Sequence, residues 1–207
     1  MTIERADPIV DGRLRRRAVV LAWATVTWNA VEAIVAISAG ASAGSLALIG
    51  FGLDSTIEVA SAVVILWQFA GQAGHAEQRE RLALKLIGLS FFALAGYVVV
   101  QAVVDLATAS APDSSLVGIG LAALSLVVMP ILARAKRRTG RQLGSVTVTA
   151  DSQQTLLCTY LSAILLLGLG LNAALGWWWA DPVAGLAIAA LAVREGREAW
   201  EGEVCCD

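Results

Sequence analysis

The sequence predicts an all-α protein, a six-helix transmembrane bundle with both termini cytoplasmic. Three observations predict it. The 207 residues are 57% hydrophobic and only 15% charged, a composition that suits lipid and leaves too little charge to dress a soluble globule. Six segments reach the roughly 20 apolar residues that crossing about 30 Å of hydrocarbon takes. The fifteen basic residues all sort to one side of those segments.

The first segment, about Ala18–Ala39, follows the basic run "RLRRR" and passes directly into a second span, so it reads as retained rather than as a cleaved signal. The second, about Leu46–Ala70, enters after "GASAGS". The third covers about Leu82–Leu106 and the fourth about Leu116–Ala133, the latter after "TASAPDSS". The fifth is about Leu143–Leu171. The sixth, about Trp179–Glu198, opens at "WWWADP". There Trp177, Trp178 and Trp179 suit an interfacial aromatic belt. Asp181 before Pro182 reads as an N-cap followed by a first-turn proline, and not as a ligand. These are long continuous apolar runs, so barrel strands, which alternate over about ten residues, are excluded.

Orientation follows from Lys and Arg, which collect on the cytoplasmic side. Arg5, Arg13, Arg15, Arg16 and Arg17 precede the first segment, and Arg79, Arg81 and Lys85 mark the second connection. Arg134, Lys136, Arg137, Arg138 and Arg141 mark the fourth, and Arg194 and Arg197 end the sixth helix. The other three connections hold none. The chain reads as one transmembrane domain over residues 1–207, with no soluble metal-binding domain after the sixth helix, placed in the cell (plasma or inner) membrane.

Against this background the charges inside the spans stand out. A charge at mid-bilayer costs about 2.5–3.5 kcal/mol on insertion scales, yet Asp54 and Glu58 sit four residues apart in the second helix, on one face. Two carboxylates held that close share a proton or bind a cation. Helix packing through a protonated pair is the structural alternative. The fifth helix offers a matching face of Asp151, Gln154 and Cys158 within about 60° of arc. At 1.5 Å per residue, Asp54 and Glu58 lie about 12 and 18 Å from one edge of the core, and Asp151 and Gln154 about 12 and 17 Å from the other. Asp54 is then level with Gln154, and Glu58 with Asp151, around a midplane site.

Other polar residues carry two readings each. Asn29 and Glu32 share a face of the first helix, where Glu32 lines the same cavity or bonds a neighbouring helix. Cys158 is a small apolar filler or a thiolate ligand for a soft ion. Cys205 and Cys206 form an inert tail or a weak metal-capture pair. Asp105 sits near the outer end of the third helix and is wetted, and His75 is solvated surface.

Four stretches resemble the transmembrane part of the cation diffusion facilitator (cation efflux) family: "GASAGSLALIGFGLDSTIE", "GHAEQRERLAL", "TADSQQTLLCTYLS" and "WADPVAGLAIAALAVREGREAW". The resemblance spans nearly the whole chain. It implies efflux of a zinc-like divalent cation in exchange for protons, usually by a homodimer in the bilayer, with no cofactor beyond the transported ion and no nucleic-acid partner. It also implies a metal site of two positions four apart on each of the second and fifth helices, which are Asp54 and Glu58 with Gln154 and Cys158 here. Gln154 and Cys158 stand where His and Asp are usual, and Asp151 on the same face compensates. This departure means either a site retuned to a softer ion or a non-transporting membrane partner or regulator built on the same bundle. An enzyme is disfavoured, because no nucleophile–base pair or phosphate loop is present.

Overall fold

The computed structural model describes residues 8–70, 76–109 and 112–201. His75, Cys205 and Cys206 lie outside them. The described residues form six helices: α1 (Pro8–Ala43), α2 (Leu46–Ala70), α3 (Ala76–Thr108), α4 (Leu116–Leu143), α5 (Val146–Leu175) and α6 (Ala180–Glu201). Each expected span is a helix. The difference that bears on the site lies at "RAKRRTGRQL", which reads from the sequence as a connection. It is the last third of α4, because charge ends the hydrocarbon match of a helix without ending the helix. What ends it is Gly144, left-handed at φ 61°.

Two hairpins are built alike. In the first, Gly44 takes φ 66°, Ser45 N–H donates to the Gly40 carbonyl at 3.0 Å, and Ser45 Oγ accepts from Leu48 N–H as the N-cap of α2. In the second, Gly144 takes the same conformation, Ser145 N–H donates to Gly140 O at 3.0 Å, and Ser145 Oγ accepts from Val148 N–H. Each residue of the second set lies one hundred positions after its counterpart. The close approach repeats too. A Cβ on Gly40 would lie 2.9 Å from Ile49 N, and one on Gly140 2.9 Å from Thr149 N.

Contacts at the chain reversals fix the direction of every helix. Asp113 N–H bonds the Ala43 carbonyl, Asn172 Nδ2 donates to Pro112 O, and Asp181 bonds Ser45. The C-termini of α1, α3 and α5 and the N-termini of α2, α4 and α6 therefore gather at one end. The basic residues of α1, α3, α4 and α6 gather at the other, beside Gly144. Helices alternate in direction, so α4–α5 repeats α1–α2 upside down.

The tightest pairs are α1 with α2, α4 with α5, and α3 with α6. One apolar core joins α1, α2, α4, α5 and α6 through Ala36, Phe51, Met129, Leu165 and Ile188. A second joins α2, α3 and α6 through Leu46, Phe91, Val98 and Ala192. Large apolar side chains such as Ile34, Val100, Leu116 and Leu167 point outward, as lipid-facing positions do. Among the described residues five helices are long and apolar enough to span a membrane. α6 is the exception, since it carries Asp181, Arg194, Glu195, Arg197 and Glu198. Asp181 lies within its first turn rather than at its N-cap, and its carboxylate instead accepts from Ser45 Oγ and Ala47 N–H at the start of α2, where a negative charge complements the helix dipole. At the other end Arg194 pairs with Glu198 at 2.8 Å. The charges of α6 thus sit at its two ends.

The repeated seam is testable. Gly140→Ala places a methyl against the Thr149 backbone and should destabilise the bundle by about 1–3 kcal/mol. Gly120→Ala, with open space around it, should be neutral or gain a few tenths to about 1 kcal/mol of helix propensity. Thermal unfolding in detergent gives the order, and equal melting of the two variants would refute the close seam.

Candidate metal site

Four helices bring polar side chains to the middle of the bundle. α2 supplies Asp54, Ser55 and Glu58, and α1 supplies Asn29 and Glu32. α5 supplies Asp151, Thr155 and Cys158, and α4 supplies Ser125 and Lys136. All of these are buried. Gln154 is half-buried. The helical period accounts for much of the selection: Asn29 and Glu32, Asp54 and Glu58, and Asp151, Thr155 and Cys158 stand three or four apart, and Ser125 and Lys136 stand eleven apart, about three turns.

The hydrogen bonds run between hairpins on one side and within a hairpin on the other. Lys136 Nζ lies 2.6 Å from Asp151 Oδ2 and donates to Thr155 Oγ1 at 2.8 Å. Thr155 Oγ1 in turn donates to Glu58 Oε1 at 2.7 Å, with the Asp151 carbonyl as its alternative acceptor at 3.0 Å. Within the first hairpin, Ser55 Oγ donates to Glu32 Oε2 at 3.0 Å, and Ser125 and Trp28 lie beside the same carboxyl. Thr155 is the repeat partner of Ser55. The first hydroxyl holds an acid of α1, and the second holds a base of α4.

Asp54 faces another way. It is 9% exposed and, among the described residues, takes no hydrogen bond or ion pair. It borders a small cavity shared with Gln154, Glu195 and the apolar side chains of Phe91, Leu161 and Leu191, with room for about one water-sized sphere. Other oxygens are also unpartnered: Glu58 Oε2, Asp151 Oδ1 and Glu195 Oε1 close no hydrogen bond. Asn29 and Cys158 lie near Glu58, and the Cys158 sulfur stands 4.0 Å from Glu32 Oε2.

The residues singled out in the sequence are therefore divided between two neighbouring places. Asp54 and Gln154 line one cavity. Glu58 and Asp151 meet through Thr155 and Lys136, with Cys158 on the side of Glu58 and Glu32. Asp151 holds an ammonium. Among the described residues no three of His, Cys, Asp and Glu come together as a ready-made metal cage. The chemistry available is that of hard carboxylate oxygens, two neutral amides (Asn29 and Gln154) and one thiol. Buried negative charge exceeds buried positive charge: Glu32, Asp54, Glu58 and Asp151 stand against Lys136. Such a site attracts a cation or protons.

Sequence reasoning missed Lys136, Thr155 and Glu195. Lys136 left a signal. The buried stripe of α4 runs Ala122, Ser125, Met129, Ala133, Lys136, Gly140, at helical spacing throughout, and a lysine in register with it points inward.

Comparison with known proteins adds to this geometry. Residues 22–201 match the family described as the cation efflux transmembrane domain. Transmembrane protein 163 of Xenopus laevis is 26% identical over 153 residues, covering 73% of this chain and 54% of that protein. An uncharacterized transporter of Synechocystis sp. is 28% identical over 177 residues, covering 80% of this chain and 57% of that one. The chain thus spans a little over half the length of these curated relatives.

The bridging hydroxyl can be weighed against an idle one. Thr155→Val keeps the shape, but Lys136 loses an acceptor and Glu58 a donor, which should cost about 1–3 kcal/mol. Thr159 Oγ1 is buried without a partner, so Thr159→Val should be neutral or stabilising. Melting of the two variants side by side measures the difference, and a Thr155→Val protein as stable as Thr159→Val would contradict the bridge.

Proposed function

This chain belongs to the cation efflux family, and we propose that it exports a zinc-like divalent cation across a membrane in exchange for protons. Asp54 is the observation that carries the reading. It is buried in α2 one turn from Glu58, lacks a hydrogen-bond partner, and faces a cavity that also borders Gln154 of α5. A carboxylate with no partner in hydrocarbon is costly, and a cation offsets that cost. The Synechocystis relative is itself called a transporter.

In this reading Asp54 and Glu58 are the charged ligands. Gln154 offers its amide carbonyl, and Cys158 a thiolate that suits zinc or a softer ion better than magnesium or calcium. Asp151 serves the site at its Gly144 end. Zinc takes four such ligands in a tetrahedron. Ligands must be deprotonated to bind, so metal entry releases protons and proton entry releases metal, which is the exchange. Both termini lie in the cytoplasm, following the placement of the basic residues, and the working unit is a homodimer in the plasma membrane. No resident cofactor is needed.

A second reading, a non-transporting partner or regulator on the same bundle, is favoured by the lack of a ready-made three-residue cage among the described residues. Flux decides between them. In vesicles carrying the purified protein and an internal zinc indicator, an imposed pH gradient should drive zinc movement. Asp54→Ala and Glu58→Ala should each reduce it to background while the protein remains extractable and folded. Transport that persists in both variants would sink the site, and transport indifferent to the gradient would sink the exchange.

Ion choice tests Cys158 separately. As a ligand it deprotonates on metal binding and prefers soft ions. Cys158→Ser should then weaken cadmium and zinc binding about tenfold or more relative to manganese, and Cys158→Asp should restore a harder site. Equal losses for soft and hard ions would leave the thiol as packing alone.

A further inference from the structure

Lys136 is a buried cation that the transport just proposed does not use. It is 1% exposed, an ammonium taken out of water is expensive, and it reaches from α4 to groups on α5 and through them to α2. Facing it are Asp151 and Thr155 of α5 and, through the Thr155 hydroxyl, Glu58 of α2. Laid end to end, those bonds of 2.8 and 2.7 Å put the ammonium within about 5.5 Å of Glu58 Oε1. The hydroxyl has one proton. Because Lys136 donates to its oxygen, that proton is free to point at Glu58.

We infer that Lys136 is a tethered cation that fills the Gly144 end of the site in place of a second transported cation, so that the site takes one divalent ion and releases it. Consider the same residues without the ammonium. Asp151 and Glu58 would then stand as a second carboxylate pair, and each already has an unpartnered oxygen, Oδ1 and Oε2. Such a pair attracts a cation. With the ammonium present that place is taken by a charge that cannot leave, because it hangs from α4 by its own stem. A divalent ion on Asp54 and Glu58 meets a fixed positive charge close by, and in a medium of low dielectric that repulsion is strong. The charge therefore limits both how many cations bind and how tightly. Glu58 is joined to the ammonium through one hydroxyl and to the Asp151 carboxylate only through that ammonium, so the ion pair meets Glu58 at its positive end.

A lysine that merely ties α4 to α5 makes a different prediction, namely that its removal weakens the fold and leaves metal affinity unchanged or lower. The inference rests on the transport reading, and the experiment separates the two. The full chain in detergent is titrated with zinc against a fluorescent chelator, and zinc per chain is counted. Zinc flux is followed in vesicles. Lys136→Arg keeps the charge and should keep the affinity. Lys136→Met should bind zinc at least about tenfold more tightly, hold more than one zinc per chain, and show a lower KM with a lower kcat. Should that variant fail to fold around an unpaired Asp151, Lys136→Met combined with Asp151→Leu buries no lone charge. It should hold one zinc, about threefold more tightly than the unaltered protein. Unchanged or weaker zinc affinity in the folded charge-free variants would overturn the inference alone. Absence of zinc binding by the unaltered protein would take down the transport reading and this inference with it.

Discussion

The structure is organised around an imbalance of buried charge. Glu32, Asp54, Glu58 and Asp151 are removed from water in the middle of the bundle, and Lys136 is the ammonium buried with them. Each unpaired charge there costs about 2.5–3.5 kcal/mol on insertion scales, a substantial part of what holds a domain together. The polar side chains nearby moderate that cost unevenly. Ser55 reaches Glu32, Thr155 reaches Glu58, and Lys136 reaches Asp151, while Asp54 is left to its cavity. Asp181 shows the contrast. It is buried more deeply still, 1% exposed against 9% for Asp54, but stands at the N-terminus of α2, where Ser45 and Ala47 satisfy both its oxygens. Its burial is structural, and that of Asp54 is not accounted for by the fold.

The two hairpins show how one local design came to hold unlike partners. Gly40, Gly44 and Ser45 recur as Gly140, Gly144 and Ser145 with the same bonds and the same close approach. Asp54 and Gln154 follow those serines at one equal distance, and Glu58 and Cys158 at another. Inverted repeats with a site at their interface are a recurring transporter architecture. In this chain the repeat is chemically asymmetric: Asp54 and Glu58 of α2 are acidic, and Gln154 and Cys158 of α5 are neutral or weakly acidic. The hydroxyls at Ser55 and Thr155 persist in both halves, the first turned to Glu32 and the second to Lys136.

Much of this was legible in the sequence because hydrocarbon imposes length and composition directly. The six segments, and the levels at which Gln154 answers Asp54 and Asp151 answers Glu58, follow from 3.6 residues per turn and 1.5 Å of rise. The single face expected for Asp54 and Glu58 instead divides between a cavity and a hydrogen-bonded chain. What escaped is what depends on a helix continuing past the hydrocarbon. "RAKRRTGRQL" was read as a loop because its charges match cytoplasmic loops, and so Lys136 was assigned to solvent. Only its register with Ala122, Ser125, Met129 and Ala133 betrays its direction. Glu195 was missed for a similar reason. It stands between Arg194 and Arg197 near the end of α6, and which side chain of such a charged turn faces inward depends on the docking of α6, a tertiary fact.

The helices approach most closely where glycines stand. Within the first hairpin Gly40 meets Ile49 and Gly52 meets Ile37, and within the second Gly140 meets Thr149. Between α3 and α6 Gly196 meets the Gly88 carbonyl. No added methyl fits at any of these without displacement, and the same holds between pairs, where Gly118 of α4 meets Leu48 of α2 and Gly168 of α5 meets Ala184 of α6, so the packing is close throughout the bundle. The seam between α2 and α5 is of another kind. Beside the apolar core that both helices share, it carries the bond of Thr155 to Glu58 and a cavity between Asp54 and Gln154, and hydrogen bonds to charged groups can be exchanged for bonds to water or to an ion. The glycine seams and the polar seam therefore do different things: the first hold helices at close approach, and the second keeps buried carboxylates beside groups whose bonds can be exchanged.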